Sequence, residues 1–121
     1  MQKHASREDV RQFLQDFMIT MKTWDVLYRD DRGKNLQTLL SLEITPAYRK
    51  KVLESLVVED YAQGPLTEKM YGGSNMWVFG KTVKKKEVYI KISLGVFGSS
   101  VICISFHLAE HTMNYPLKAK T

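Results

Sequence analysis

The sequence predicts an α+β domain in which N-terminal helices pack on one face of a twisted antiparallel sheet that ends in a three-stranded meander. Three observations predict it. Val10, Phe13, Leu14, Phe17, Met18 and Met21 fall at the i, i+3, i+4, i+7 spacing that gives a helix one apolar stripe. Thr45-Pro46 is a helix start, a capping hydroxyl followed by proline at the first helical position, where its missing N–H costs nothing. From Met76 onward the apolar period changes to two, and the connections between runs are too short for anything but antiparallel neighbours.

In chain order, Ser6 caps the first helix with Asp9 three residues on, and Arg11, Gln12, Gln15 and Asp16 face away from the stripe. Trp24 to Arg29 reads as a short edge strand, and Arg29-Asp30-Asp31-Arg32-Gly33-Lys34-Asn35 as a turn. Asn35 is expected to cap a short helix through Leu36, Leu39, Leu40 and Leu42. The helix begun at Thr45 should run to about Ser55, with Tyr48, Val52 and Leu56 inward and Arg49, Lys50 and Lys51 solvated. Gly64-Pro65 breaks the chain, and Tyr71-Gly72-Gly73-Ser74-Asn75 reads as a flexible loop. Strands follow at Met76–Thr82, Glu87–Leu94 and Val101–Leu108. With 121 residues and no internal repeat or linker, the chain is expected to be one domain, 1–121.

Composition narrows the class. Hydrophobic residues make up 44% and charged residues 26%, which is globular rather than disordered. No apolar run approaches the ~20 residues that span a bilayer, so no membrane partner is expected. Met1-Gln2-Lys3-His4 leads straight into a charged amphipathic segment without a signal-peptide core, and Cys103 is the sole cysteine, so a reducing, cytoplasmic setting is expected. The net charge of +5 favours an anionic partner, and five lysines against one glutamate lie between Lys81 and Lys91.

Alternation assigns the sheet faces. In the second meander strand Val88, Ile90, Ile92 and Leu94 oppose Glu87, Tyr89, Lys91 and Ser93; in the third, Ile102, Ile104, Phe106 and Leu108 oppose Val101, Cys103, Ser105 and His107. A hairpin centred on Gly98 sets Tyr89 across from His107 and Lys91 across from Ser105, matching apolar residues with apolar ones. Matching polar faces in the first strand adds Trp77, Phe79 and Lys81. The expected functional face is therefore Trp77, Phe79, Lys81, Tyr89, Lys91 and His107. That set suits RNA: lysines neutralise phosphate, and flat aromatics stack on unpaired bases at ~1–3 kcal/mol each. Cleavage without a metal or other cofactor needs proton transfer and a cation for the phosphorane. Imidazole, with an unperturbed pKa of ~6.5, suits the acid role at His107, with Lys91 as the cation and Tyr89 as positioner.

Leu39-Leu40, Val52-Leu53, Leu56, Glu59-Asp60-Tyr61, Trp77, Glu87-Val88-Tyr89-Ile90-Lys91-Ile92 and Val101-Ile102-Cys103-Ile104-Ser105-Phe106 together resemble the MqsR family of bacterial toxins, over roughly Asp9 to His107. The resemblance implies a RelE-like fold, metal-independent and sequence-selective cleavage of mRNA, and a cognate antitoxin protein, encoded nearby, that inhibits by binding. The family's strand tyrosine matches Tyr89, while its lysine after the last strand's Ser-Phe is replaced by His107. Its lysine after the Asp-Phe-Tyr motif falls on Ala62 and its glutamine after the tryptophan on Val78; Lys81, Lys91 or Lys69 are the residues that could offset those losses.

Two other classes compete. His107-Leu108-Ala109-Glu110-His111 spells H-x-x-E-H, a zinc-protease signature when it lies on a helix, but here it starts in a β-patterned run. A non-catalytic RNA- or antitoxin-binding module would use the same charges and differ only in lacking turnover. Asp30 and Asp31 read as turn residues, and Gly72 and Gly73 lack the Lys-Ser/Thr of a phosphate loop.

Overall fold

A computed structural model describes residues 4–31, 33–67 and 74–119. Arg32 of the expected turn, Lys69, and the loop residues Tyr71, Gly72 and Gly73 lie outside the described residues. Helix α1 (Arg7–Trp24) leads to strand β1 (Val26–Tyr28), helices α2 (Lys34–Leu42) and α3 (Pro46–Glu54), a 3-10 turn (Val58–Asp60), and strands β2 (Tyr61–Leu66), β3 (Met76–Val83), β4 (Lys86–Ser93) and β5 (Val101–Leu108). The strands form one sheet in the order β1-β5-β4-β3-β2. The class is α+β as expected, but the sheet is mixed: β1 runs parallel to β5, and the other neighbours are antiparallel.

Helix starts follow the expected caps at both ends of the helical region. The Ser6 hydroxyl accepts from the Asp9 N–H, and the Thr45 hydroxyl from the Tyr48 N–H at 3.0 Å, with Pro46 behind it. The α1 stripe Val10, Phe13, Leu14, Phe17 and Met21 is buried against the sheet. Two helix assignments need correction. Gly33, with φ of +78°, is the residue before α2, whereas Asn35 lies inside the helix and is buried; Leu36 and Leu40 face outward. The Asn35 amide donates to the carbonyls of Arg29 (2.9 Å) and Ile104 (3.2 Å) and accepts from the Phe106 N–H (3.0 Å). In α3, Arg49 is buried and Tyr48 exposed, the reverse of the expectation. Arg49 forms a two-pronged pair with Asp30 (3.0 and 3.1 Å) and lies 3.6 Å over the Tyr28 ring, so its charge is matched where it enters the core.

The β4–β5 register is the expected one at Tyr89↔His107 and Lys91↔Ser105. Between Lys91 and Ile92 it shifts, so that Ile92 faces Cys103. This bulge reverses the alternation upstream: Val101 and Cys103 join the core beside Val26 and Tyr28, while Ser105 and His107 keep the other face. The β3 register departs from expectation by one residue. Lys84 and Lys85, with φ of +48° and +71°, make a two-residue turn closed by Val83↔Lys86, and this sets Trp77↔Ile92, Phe79↔Ile90 and Lys81↔Val88. A one-residue slip moves every side chain to the opposite face. Trp77, Phe79 and Lys81 therefore lie on the helix-covered face, not beside Tyr89.

Candidate functional site

On the face away from the helices, a groove of about 860 Å³ is bounded by the start of α1, β2, the sheet floor and the segment after β5. Its floor carries Val78, Tyr89, Lys91, Ser105 and His107, held by the registers just described. Ala62 and Gln63 of β2 form one wall, and Glu110 to Asn114 another.

Tyr89 and His107 are cross-strand partners whose rings stack at 5.0 Å with 13° between planes. His107 Nδ1 lies 2.9 Å from the Leu108 carbonyl oxygen. A carbonyl only accepts, so Nδ1 carries the hydrogen and Nε2 is the nitrogen free to exchange a proton. The Lys91 ammonium lies 5.9 Å from the Tyr89 ring centroid. Burial, and secondarily the Glu110 carboxylate, push the Tyr89 phenol pKa up, so it is a neutral hydrogen-bond donor at physiological pH. The Glu110 carboxyl is held low chiefly by its bond to Lys34 at 3.0 Å, with smaller contributions from His107 and His111.

The wall after β5 is tied down chiefly by Glu87. The Glu87 carbonyl accepts from the Ala109 N–H, and its side chain accepts from the Met113 N–H (3.3 Å) and the Tyr115 hydroxyl (2.6 Å). Tyr115 lies directly over Gly80, where a Cβ would meet its ring at 2.8 Å. Arg7 donates to the Leu117 carbonyl at 2.7 Å, fastening the segment to α1.

Of the six residues expected at the site, the structure brings together Tyr89, Lys91 and His107 and removes the other three. Phe79 is fully buried, and Phe13 stacks 4.7 Å from Trp77 and 6.1 Å from Phe79, so both rings belong to the α1 contact. Lys81 donates to Asp60 (2.9 Å) and to the Ser55 carbonyl at the end of α3 (3.2 Å). Sequence reasoning missed His4, Asp9 and the segment from Glu110 to Pro116 as groove walls. Only the H-x-x-E-H spacing drew attention to Glu110 and His111, and it runs from a strand into a loop, so its histidines do not share a helix face. Among the described residues no three His, Cys, Asp or Glu side chains are grouped to hold a metal ion, and no helix is long and apolar enough to cross a membrane. Compared with known proteins, the chain matches no family model, no curated protein and no solved structure.

Proposed function

We propose that this groove is the active site of a metal-independent endoribonuclease that cleaves mRNA, the toxin of a type II toxin–antitoxin pair with the RelE-like character that the MqsR resemblance implies. The observation that carries the reading is convergence. The four positions onto which the family's functional residues fall, Ala62, Val78, Tyr89 and His107, come from four different strands and line one groove. Two of the four keep groups capable of chemistry. Lys91, also lining the groove, stands as the cation in place of the polar residues absent at Ala62 and Val78.

In this reading the ribose 2′-oxygen loses its proton and attacks phosphorus, the bond to the 5′-oxygen breaks, and a 2′,3′-cyclic phosphate and a free 5′-hydroxyl form. His107 Nε2 gives a proton to the departing 5′-oxygen, its ring fixed by Tyr89 and the Leu108 carbonyl. Lys91 offsets charge on the phosphorane, and the neutral Tyr89 phenol donates to a phosphate oxygen. His111, lining the same groove, offers the second imidazole that can accept the 2′ proton. The cognate antitoxin inhibits by covering this face.

The test is incubation of the purified protein with a defined mRNA, with and without EDTA, alongside His107→Ala and Tyr89→Phe. Cleavage that survives EDTA and falls in both variants is the expected result. RNA that is retarded on a gel but intact with the wild-type protein would replace the nuclease reading with that of a binding module.

A further inference from the structure

All three histidines of the chain, His4, His107 and His111, line the groove that holds Tyr89 and Lys91. They arrive from three places: His4 precedes α1, His107 belongs to β5, and His111 to the segment after it. Among the described residues the other charged groups there are few. Lys91 faces the groove with Asp9 and Glu110, and Glu110 is bonded to Lys34 from α2. The remaining titratable side chains in the lining are the phenols Tyr61, whose hydroxyl donates to the Gly64 carbonyl, and Tyr89, whose proton is retained. With neutral imidazoles, two cations thus balance two carboxylates. With all three imidazoles charged, the described groups of the groove carry three net positive charges.

The two imidazoles with defined partners are oriented alike. His4 Nδ1 lies 2.7 Å from the Ala5 carbonyl oxygen, as His107 Nδ1 lies 2.9 Å from that of Leu108. Each spends its Nδ1–H on the backbone, so protonation takes place at Nε2 and creates a new charged donor there. Two other lysines are held elsewhere: Lys81 is bonded to Asp60 on the opposite face, and Lys84 to the Glu43 carbonyl. Lys91 alone is a weak anchor for a polyanion.

We infer that the groove is a proton-gated phosphate site, which binds the phosphates of single-stranded nucleic acid when His4, His107 and His111 are charged and releases them when they are neutral. The inference rests on reading the groove as an RNA site, and not on whether it cuts. Binding therefore strengthens as the solution is acidified and these imidazoles take up protons. Among the described residues the number of ionic contacts rises from the one at Lys91 to four. For single strands the slope of log affinity against log salt then steepens from about −0.7 to about −2.8.

The experiment uses the full chain and a fluorescent 2′-deoxy oligonucleotide, which lacks the nucleophile and cannot be cleaved, with anisotropy read from about pH 8 to about pH 5 at several salt concentrations. The expected result is at least a tenfold gain in affinity on acidification, with the steeper salt slope. The double variant His4→Gln/His111→Gln, at two exposed positions, should lose most of that gain while keeping the wild-type melting curve. Affinity and slope that stay flat with pH, or a double variant that keeps the full gain, would overturn the inference. RNA cleavage measured in parallel separates the two readings. Acid-dependent binding without cleavage leaves this inference and removes the nuclease, and cleavage with pH-independent binding does the converse.

Discussion

Gly80→Ala tests how the segment after β5 is held over the sheet. The added methyl group would clash with the Tyr115 hydroxyl, with Tyr115 Cε1 at 2.8 Å and Met113 Sδ at 2.9 Å. Gly80 is not among the glycines with positive φ, so alanine meets no backbone objection and the conflict is one of contact alone. Met113 can swing aside cheaply. Tyr115 cannot, because moving it breaks its 2.6 Å bond to the Glu87 carboxylate. A hydrogen bond to a charged group contributes about 1.5–3 kcal/mol, and alanine returns about 0.4–1 kcal/mol by restricting the unfolded chain. The net loss is about 1–2 kcal/mol, a fall in Tm of roughly 3–10 °C for a chain of this size. Thermal unfolding followed by circular dichroism, in wild-type and Tyr115→Ala backgrounds, completes a double-mutant cycle. In the Tyr115→Ala background the Gly80→Ala change should be neutral or slightly stabilising. An equal fall in both backgrounds would refute the account. Because the same segment carries Glu110 and His111 to the groove, Gly80→Ala should also reduce RNA cleavage.

Three further outcomes follow from the packing. Phe79→Ala should destabilise by about 3–5 kcal/mol in a denaturant melt, as expected for a buried aromatic, and leave RNA affinity of the folded protein unchanged. Arg49→Met removes both hydrogen bonds that Arg49 donates to the Asp30 carboxylate and should cost about 3 kcal/mol, partly recovered when Asp30→Asn is added; urea titration measures both. Burial pushes the Cys103 thiol from 9.0 to about 12 and Tyr28 from 10.0 to about 12. Between those limits the folded state holds more protons than the unfolded state, so stability is full below pH 9.0 and falls as pH rises toward about 12. Urea midpoints across that window check the sign, and Cys103 should resist alkylation until the protein unfolds.

The parts of this fold that could be read in advance were those on which two local signals agreed. Ser6 and Thr45 each stood before an apolar helical pattern, and the Tyr89–His107 pairing satisfied turn position and apolar matching together. Where a single signal stood alone it misled. Trp77 and Phe79 form one of two rows in β3, and the choice depended on the turn. Lys84-Lys85 is a left-handed pair without the Asn-Gly composition that marks such turns. The bulge beside Lys91 has no signature in the alternation of β5, because Val101, Cys103 and Ile104 are all acceptable core residues. Arg49 reads as a surface charge in the sequence because only tertiary structure brings Asp30 to it. The walls of the groove depend on Glu87 reaching residues more than twenty positions away, a link that no local pattern carries.

Asn35 has a further consequence for how the molecule meets others. Strand β1 pairs with only Val101 to Cys103, and beyond it the Asn35 amide occupies the Ile104 carbonyl and the Phe106 N–H of β5. A single side chain thus takes the place of the next residues of a neighbouring strand. At the opposite border, β2 pairs through two register shifts and contains Pro65, which has no N–H to offer. Among the described residues neither border of the sheet presents a long regular row of open backbone groups, and self-templated polymerisation along it is thereby discouraged. The same property makes strand addition at these borders a poor mode of attachment for a partner, and favours contact through side chains over the groove or the helices.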